Sequence, residues 1–181
     1  MYLLVNILHT LVPKVKIFVE DSYGEEAIKI LVDKLKDIGI VNKKILVDIK
    51  PIPGLCSSKF SRIIRASAIE FNRVIIVVDG DGNPQNIIKR ERKHIPPDNI
   101  LCNKVHILVN KYEIEEWIIY ALYGKISSNP SEKLKELTNG IYRKSYLPRY
   151  IEKIINNEHY LSKLLSYEVV EKLVFLLQLN I

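Results

Sequence analysis

Residues 74–84 read VIIVVDGDGNP, an apolar run that passes straight into Asp79 and Asp81. A continuous apolar run, with no polar residue at alternate positions, suits a strand covered on both faces within a parallel sheet. Two carboxylates this close repel each other unless a proton or a cation lies between them. Gly80 and Gly82 flank Asp81, and glycine lets a backbone turn tightly enough for both acids to face one cation.

The flanking sequence repeats the pattern. Residues 14–20, KVKIFVE, form a β-branched run ending in Glu20, and residues 25–40 carry apolar side chains at helical spacing. A second strand is expected over 44–49, closed by turn residues at 51–54, followed by an amphipathic helix over 57–70 with Lys59, Arg62 and Arg65 on its polar side. After the opening stretch, Pro84 suits the first turn of a helix over 83–94, residues 105–109 (VHILV) form a further strand, and 113–123 (EIEEWIIYALY) return to helix. Strands alternating with helices imply an α/β domain on a parallel sheet with a core over 14–125. Residues 126–181 read as a helical extension packed on it, with helices over 130–137, 148–156 and about 160–179, suited to a lid, a protein partner or a homodimer contact.

At 181 residues the chain accommodates one domain with an extension, and an apolar content of 48% is globular composition. Lys and Arg outnumber Asp and Glu by 27 to 21, a net charge of +6 that favours a polyanionic partner. Cys56 and Cys102 lie far apart without a CxxC or His-rich companion, so buried thiols are expected in place of a zinc site or a disulfide framework. Residues 1–13, MYLLVNILHTLVP, are too short to span a membrane and lack a basic start and a cleavage motif. They read as an extra strand or short helix on the core, or as leader sequence from an over-long start, in a cytoplasmic protein with no membrane partner. The wealth of Ile, Lys and Glu hints at a thermophile.

Ligands of open parallel sheets bind beyond the carboxyl ends of the strands. Glu20, Asp79, Asp81 and Glu113 all fall there, with Glu115 and Glu116 just behind. An all-oxygen set without His or Cys suits Mg²⁺ or Mn²⁺. A calcium loop starting at Asp79 fails, because its sixth and twelfth positions are Pro84 and Arg90 where Gly and Glu are needed. A haloacid-dehalogenase-type phosphatase also uses DxD, but its fifth motif position is Thr or Val and here it is Asn83.

Glu20 after the first strand and Asp79-Gly80-Asp81 after the third resemble the Toprim domain, the metal-binding module of topoisomerases, bacterial-type primases, OLD-type nucleases and small ribosomal-RNA maturases. Residues 109–118, VNKYEIEEWI, are similar to the P-E-(I/L)-E-x-W element of stand-alone OLD-like Toprim proteins, with Glu113, Glu115 and Trp117 at matching positions. The chain departs from the pattern after the first strand, reading VEDSYGEE where such proteins commonly read VEGxTE. The resemblance implies a Toprim-like, Rossmann-like fold and divalent-metal-dependent phosphodiester hydrolysis of nucleic acid. It gives Asp79 and Asp81 as metal ligands, Glu20 as ligand or general acid/base, and Glu113 as part of a second site. For the partner of Glu113, helical spacing favours Glu116 and the family pattern favours Glu115.

Trp117 and His106 read as core residues. Lys89, Arg90, Arg92 and Lys93 lie on the helix that starts beside the aspartates, where they suit a phosphate backbone of DNA or RNA. Residues 142–150, YRKSYLPRY, interleave tyrosines with Arg143, Lys144 and Arg149, a composition that suits either single-strand binding or a loop docking the tail onto the sheet. The expected function is a Toprim-type nuclease, with a non-catalytic metal- and nucleic-acid-binding module as the alternative and a DxD phosphatase behind both.

Overall fold

A computed structural model describes residues 12–52 and 58–178. The sheet comprises β1 (Lys14–Val19), β2 (Leu46–Pro51), β3 (Arg73–Val78) and β4 (Val105–Val109), all parallel, in the order β2-β1-β3-β4. Helices flank it on both faces, an α/β architecture consistent with a Rossmann-like fold. No helix among the described residues is long and apolar enough to cross a membrane.

Period-two alternation along the strands divides the core. Val74, Ile76 and Val78 point to one face, where they meet Phe60, Ile64 and Ala68 of α2 (Ser58–Glu70) and Ile87 of α3 (Pro84–Arg92). Ile75 and Val77 join Val15 and Ile17 on the other face, under α1 (Ser22–Asp37), α5 (Glu116–Tyr123) and the C-terminal helices. Those are α6 (Pro130–Leu137), α7 (Leu147–Ile155), α8 (Glu158–Leu165) and α9 (Glu168–Leu177). Leu147, Ile151, Leu164, Val170 and Leu173 are buried in the same cluster as the strands. The tail thus supplies one wall of the core.

Several expectations shift. The helix expected from 113 starts at Glu116, because Glu113, Ile114 and Glu115 form the turns that lead into it. The single last helix is two, α8 and α9, divided at Ser166 and Tyr167. A short α4 (Asn99–Cys102), capped by Asp98, was not expected; Cys102 on it is exposed, not buried. Cys56, the turn at 53–54 and the apolar stretch over 1–11 lie outside the described residues.

Strand order fixes the position of the site. From β1 the chain turns one way to β2, then crosses back to β3 on the other side of β1. α1 follows β1 onto one face and α3 follows β3 onto the other. The loops leaving β1 and β3 therefore diverge and open a crevice above their carboxyl ends, the place where doubly wound sheets hold ligands.

Candidate functional site

Glu20 and Asp79 leave the two strands that border this crevice. The Asp79 N–H donates to Glu20 Oε1 at 3.1 Å. The Asp79 carboxylate Oδ1 accepts from Asn110 Nδ2 at 3.1 Å and from the Ile114 N–H at 2.9 Å, and Trp117 Nε1 in turn donates to Asn110 Oδ1 at 2.8 Å. Trp117 and Asn110 are both fully buried, so the orientation of Asp79 is set from behind by the core. The loop after Asp79 is tied to the loop after β4: Gly80 and Asp81 donate to the Tyr112 carbonyl, and Gly82 donates to that of Lys111. A Cβ at Gly80 would collide with the Asn110 carbonyl oxygen, which explains the glycine. Asp81 is exposed on the lip of the crevice in a left-handed conformation, φ 47°.

Burial and mutual repulsion both act on the acids. Burial first, and then the charge of Glu20, push Asp79 up to about 7, despite its Asn110 hydrogen bond and nearby Lys144. Burial raises Glu20 as well, against the Asp79 amide and Lys144, with Asp81 adding to the rise. Lys144 reaches in from a 3₁₀ turn (Lys144–Tyr146) ahead of α7, with Nζ 3.0 Å from Asp21 Oδ2 and 4.0 Å from Asp79 Oδ2. Burial works against its charge, but Asp21, Glu115 and Asp79 outweigh that and hold the ammonium above its ordinary value. Between them lies a water-sized hollow lined by Glu20, Asp21, Asp79, Asn110, Ile114 and Lys144 among others.

The expected ligands part company here. Glu113 accepts a hydrogen bond from the Ser131 hydroxyl at the start of α6, and its charge acts on Glu115. Glu116 is fully buried, with Oε1 accepting from the Lys111 N–H (2.8 Å) and the Tyr167 hydroxyl, and Oε2 from the Tyr112 N–H (3.0 Å). It braces the loop after β4, with three of its acceptor positions taken by that loop and by Tyr167. Glu115 takes the place beside the crevice: it acts on the charges of Asp79 and Lys144, and Tyr142 donates to its Oε1 at 3.2 Å. Its Oε2 is buried without a hydrogen-bond partner, and burial raises its pKa.

Among the described residues no three His, Cys, Asp or Glu side chains converge as a ready-made metal cage. The carboxylates of Glu20, Asp79 and Asp81 and the unpartnered buried oxygen of Glu115 nevertheless fit a hard divalent cation in donor chemistry. In the arrangement described, Lys144 supplies the charge.

The basic residues divide too. Lys89 and Lys93 are exposed, as are Arg143 and Arg149. Arg90 Nε donates to the buried Glu91 at 2.7 Å, and its charge also acts on Glu20. Arg92 lines a groove beside β4 and Lys144 is committed to the acids. Tyr142 is buried with its ring against Tyr150, so 142–150 docks the tail onto the domain. His106, expected in the core, is half-buried on that same β4 groove.

Sequence reasoning missed Asp21, which caps α1 through Gly24 as well as pairing with Lys144, and Asn110, the residue that follows β4. The signal for Asn110 was its position, a lone polar residue immediately after an apolar strand. No protein-family model, curated protein or solved structure matches the chain.

Proposed function

We propose that the chain is a divalent-metal-dependent nuclease of the Toprim type, cleaving phosphodiester bonds of nucleic acid. The observation that carries this reading is the clasped Glu20–Asp79 pair at the carboxyl ends of β1 and β3, where the strand order reverses. Mg²⁺ or Mn²⁺ would be held by Glu20, Asp79 and Asp81, with Glu115 in reserve, and would polarise a phosphoryl oxygen and lower the pKa of a bound water. Asn110 and Trp117 keep the Asp79 carboxylate aimed into the crevice. Glu20, held above its ordinary pKa, is suited to exchange a proton with the attacking or leaving oxygen. Exposed Lys89 and Lys93 beyond the crevice, with Arg143 and Arg149 on the tail side, supply contacts for the phosphate backbone.

The lysine in the crevice favours a second reading, a nucleic-acid-binding module that performs no chemistry. One assay separates the two. Single-stranded, duplex and structured RNA and DNA are incubated with Mg²⁺ or Mn²⁺, comparing wild type with Asp79→Asn and Glu20→Gln. Cleavage by wild type, lost by at least a hundredfold in both variants, supports the nuclease. Binding without cleavage on every substrate leaves the module; cleavage that survives both substitutions overturns the assignment of the site.

A further inference from the structure

The two edges of the sheet are built differently. β2 reads LVDIKP, and its Asp48, Lys50 and Pro51 are the charged and proline residues that guard natural edge strands against pairing. β4 reads VHILV, with no acid, lysine or proline. The Val74 N–H donates to the Lys104 carbonyl at 2.8 Å and the Asn110 N–H to the Val78 carbonyl at 2.9 Å. With the parallel register Val74↔Val105 through Val78↔Val109, the peptide groups of His106 and Leu108 face β3. Those of Val105, Ile107 and Val109 therefore point outward, and they have no backbone partner among the described residues.

This open edge is the floor of a slot. α3 forms one wall and α9 the other, enclosing two adjoining hollows of about 370 and 400 Å³ that share Ile88, Ile107, Leu108 and Lys172. Ile88 and Ile95 line one side, and Phe175 and Val169 the other; Phe175 is 70% exposed. Cations stand along the rim. Arg92 and Lys111 have no carboxylate within ion-pairing distance among the described residues, and Lys172 pairs at 2.5 Å with Glu168, the sole acid lining the slot. An edge strand between two apolar walls accepts one extended chain, whose side chains alternate between the walls while its backbone bonds the edge.

We infer that the slot receives an extended segment of a partner protein, apolar in its centre and acidic at its flanks, which adds to β4 as a fifth strand. The apolar walls select the centre, and Arg92 in one hollow and Lys111 in the other select the acidic flanks. This surface is separate from the crevice and does not depend on the nuclease reading.

The probe is the capped peptide Glu-Glu-Val-Ile-Val-Ile-Glu-Glu, added to the full ¹⁵N-labelled chain and followed by amide hydrogen exchange. At saturation the Val105, Ile107 and Val109 amides are expected to exchange at least tenfold more slowly. N-methylation of one alternate set of peptide nitrogens should abolish binding while the other set does not, a signature of strand addition. Arg92→Glu combined with Lys111→Glu should weaken the peptide at least tenfold. Unchanged exchange, or equal binding by both N-methylated peptides, overturns the inference. So do amides already slow in the chain alone, which would assign the slot to its own N-terminal residues or a second copy. Equal slowing by a single-stranded oligonucleotide overturns it as well.

Discussion

Asp79 shows how a single residue can trade stability for charge. Its carboxyl titrates near 7 in the folded chain, against about 3.9 when unfolded. Between those values the folded state keeps a proton that the unfolded state has lost, so stability is complete below the lower value and falls as pH rises toward 7. The expected loss is about 1.4 kcal/mol per pH unit in that window. Asp79→Asn removes it: in urea unfolding at pH 4.5, 5.5, 6.5 and 7.5, the stability of wild type relative to the variant should decline and then level off. Parallel curves would show that the carboxyl is not held protonated. Gly80→Ala probes the same loop through sterics, since the new methyl has only the backbone of Asn110 and Lys111 to displace. We expect it to cost about 3 kcal/mol, with a shift in the Trp117 fluorescence as Asn110 moves. Much of this residue scale was legible, because Glu20 and Asp79 directly follow apolar runs. Lys144 was not, because nothing local to YRKSYLPRY indicates that its lysine turns inward to Asp21 and Asp79.

Elements were legible to the extent that their periodicity was local. β3 contains the apolar run at 74–78, β4 has the limits of the run at 105–109, and Pro130 starts α6 as a proline in a first turn should. The start of α5 was misplaced because EIEE has helical composition, but the backbone there is bent by what it binds: the Ile114 N–H is given to Asp79 and the loop before it to Glu116. An amphipathic pattern says that a face is covered, never by what, and so the tail helices looked like an extension. Their burial makes a different prediction. Leu164→Ala in α8 and Leu173→Ala in α9 remove side chains with no exposure and should each cost about 2–5 kcal/mol, as Ile17→Ala in β1 should. Chemical denaturation of the three variants would test this; losses under about 1 kcal/mol for the two leucines would mean that the tail adds little to the core.

At the scale of the whole molecule, a chain of net charge +6 carries an acidic crevice above the carboxyl ends of its two central strands. Net charge alone would count every lysine and arginine as a phosphate contact. The structure separates those facing solvent, such as Lys89, Lys93, Arg143 and Arg149, from Lys144, which is bound to Asp21 and Asp79. Only a cation free to meet phosphate releases counterions, and on single strands each such contact steepens the dependence of log affinity on log salt by roughly 0.7. Binding of a fluorescent single-stranded oligonucleotide, measured from low to physiological salt, should therefore respond unequally to substitution. Lys89→Ala with Lys93→Ala should flatten the slope by roughly 1.4, whereas Lys144→Ala should leave the slope unchanged even if the unmasked acids lower affinity at every salt concentration. A Lys144→Ala slope flattened as much as that of an exposed lysine would mean that this side chain leaves the acids for the substrate, and that the crevice binds nucleic acid with its acids free for a metal.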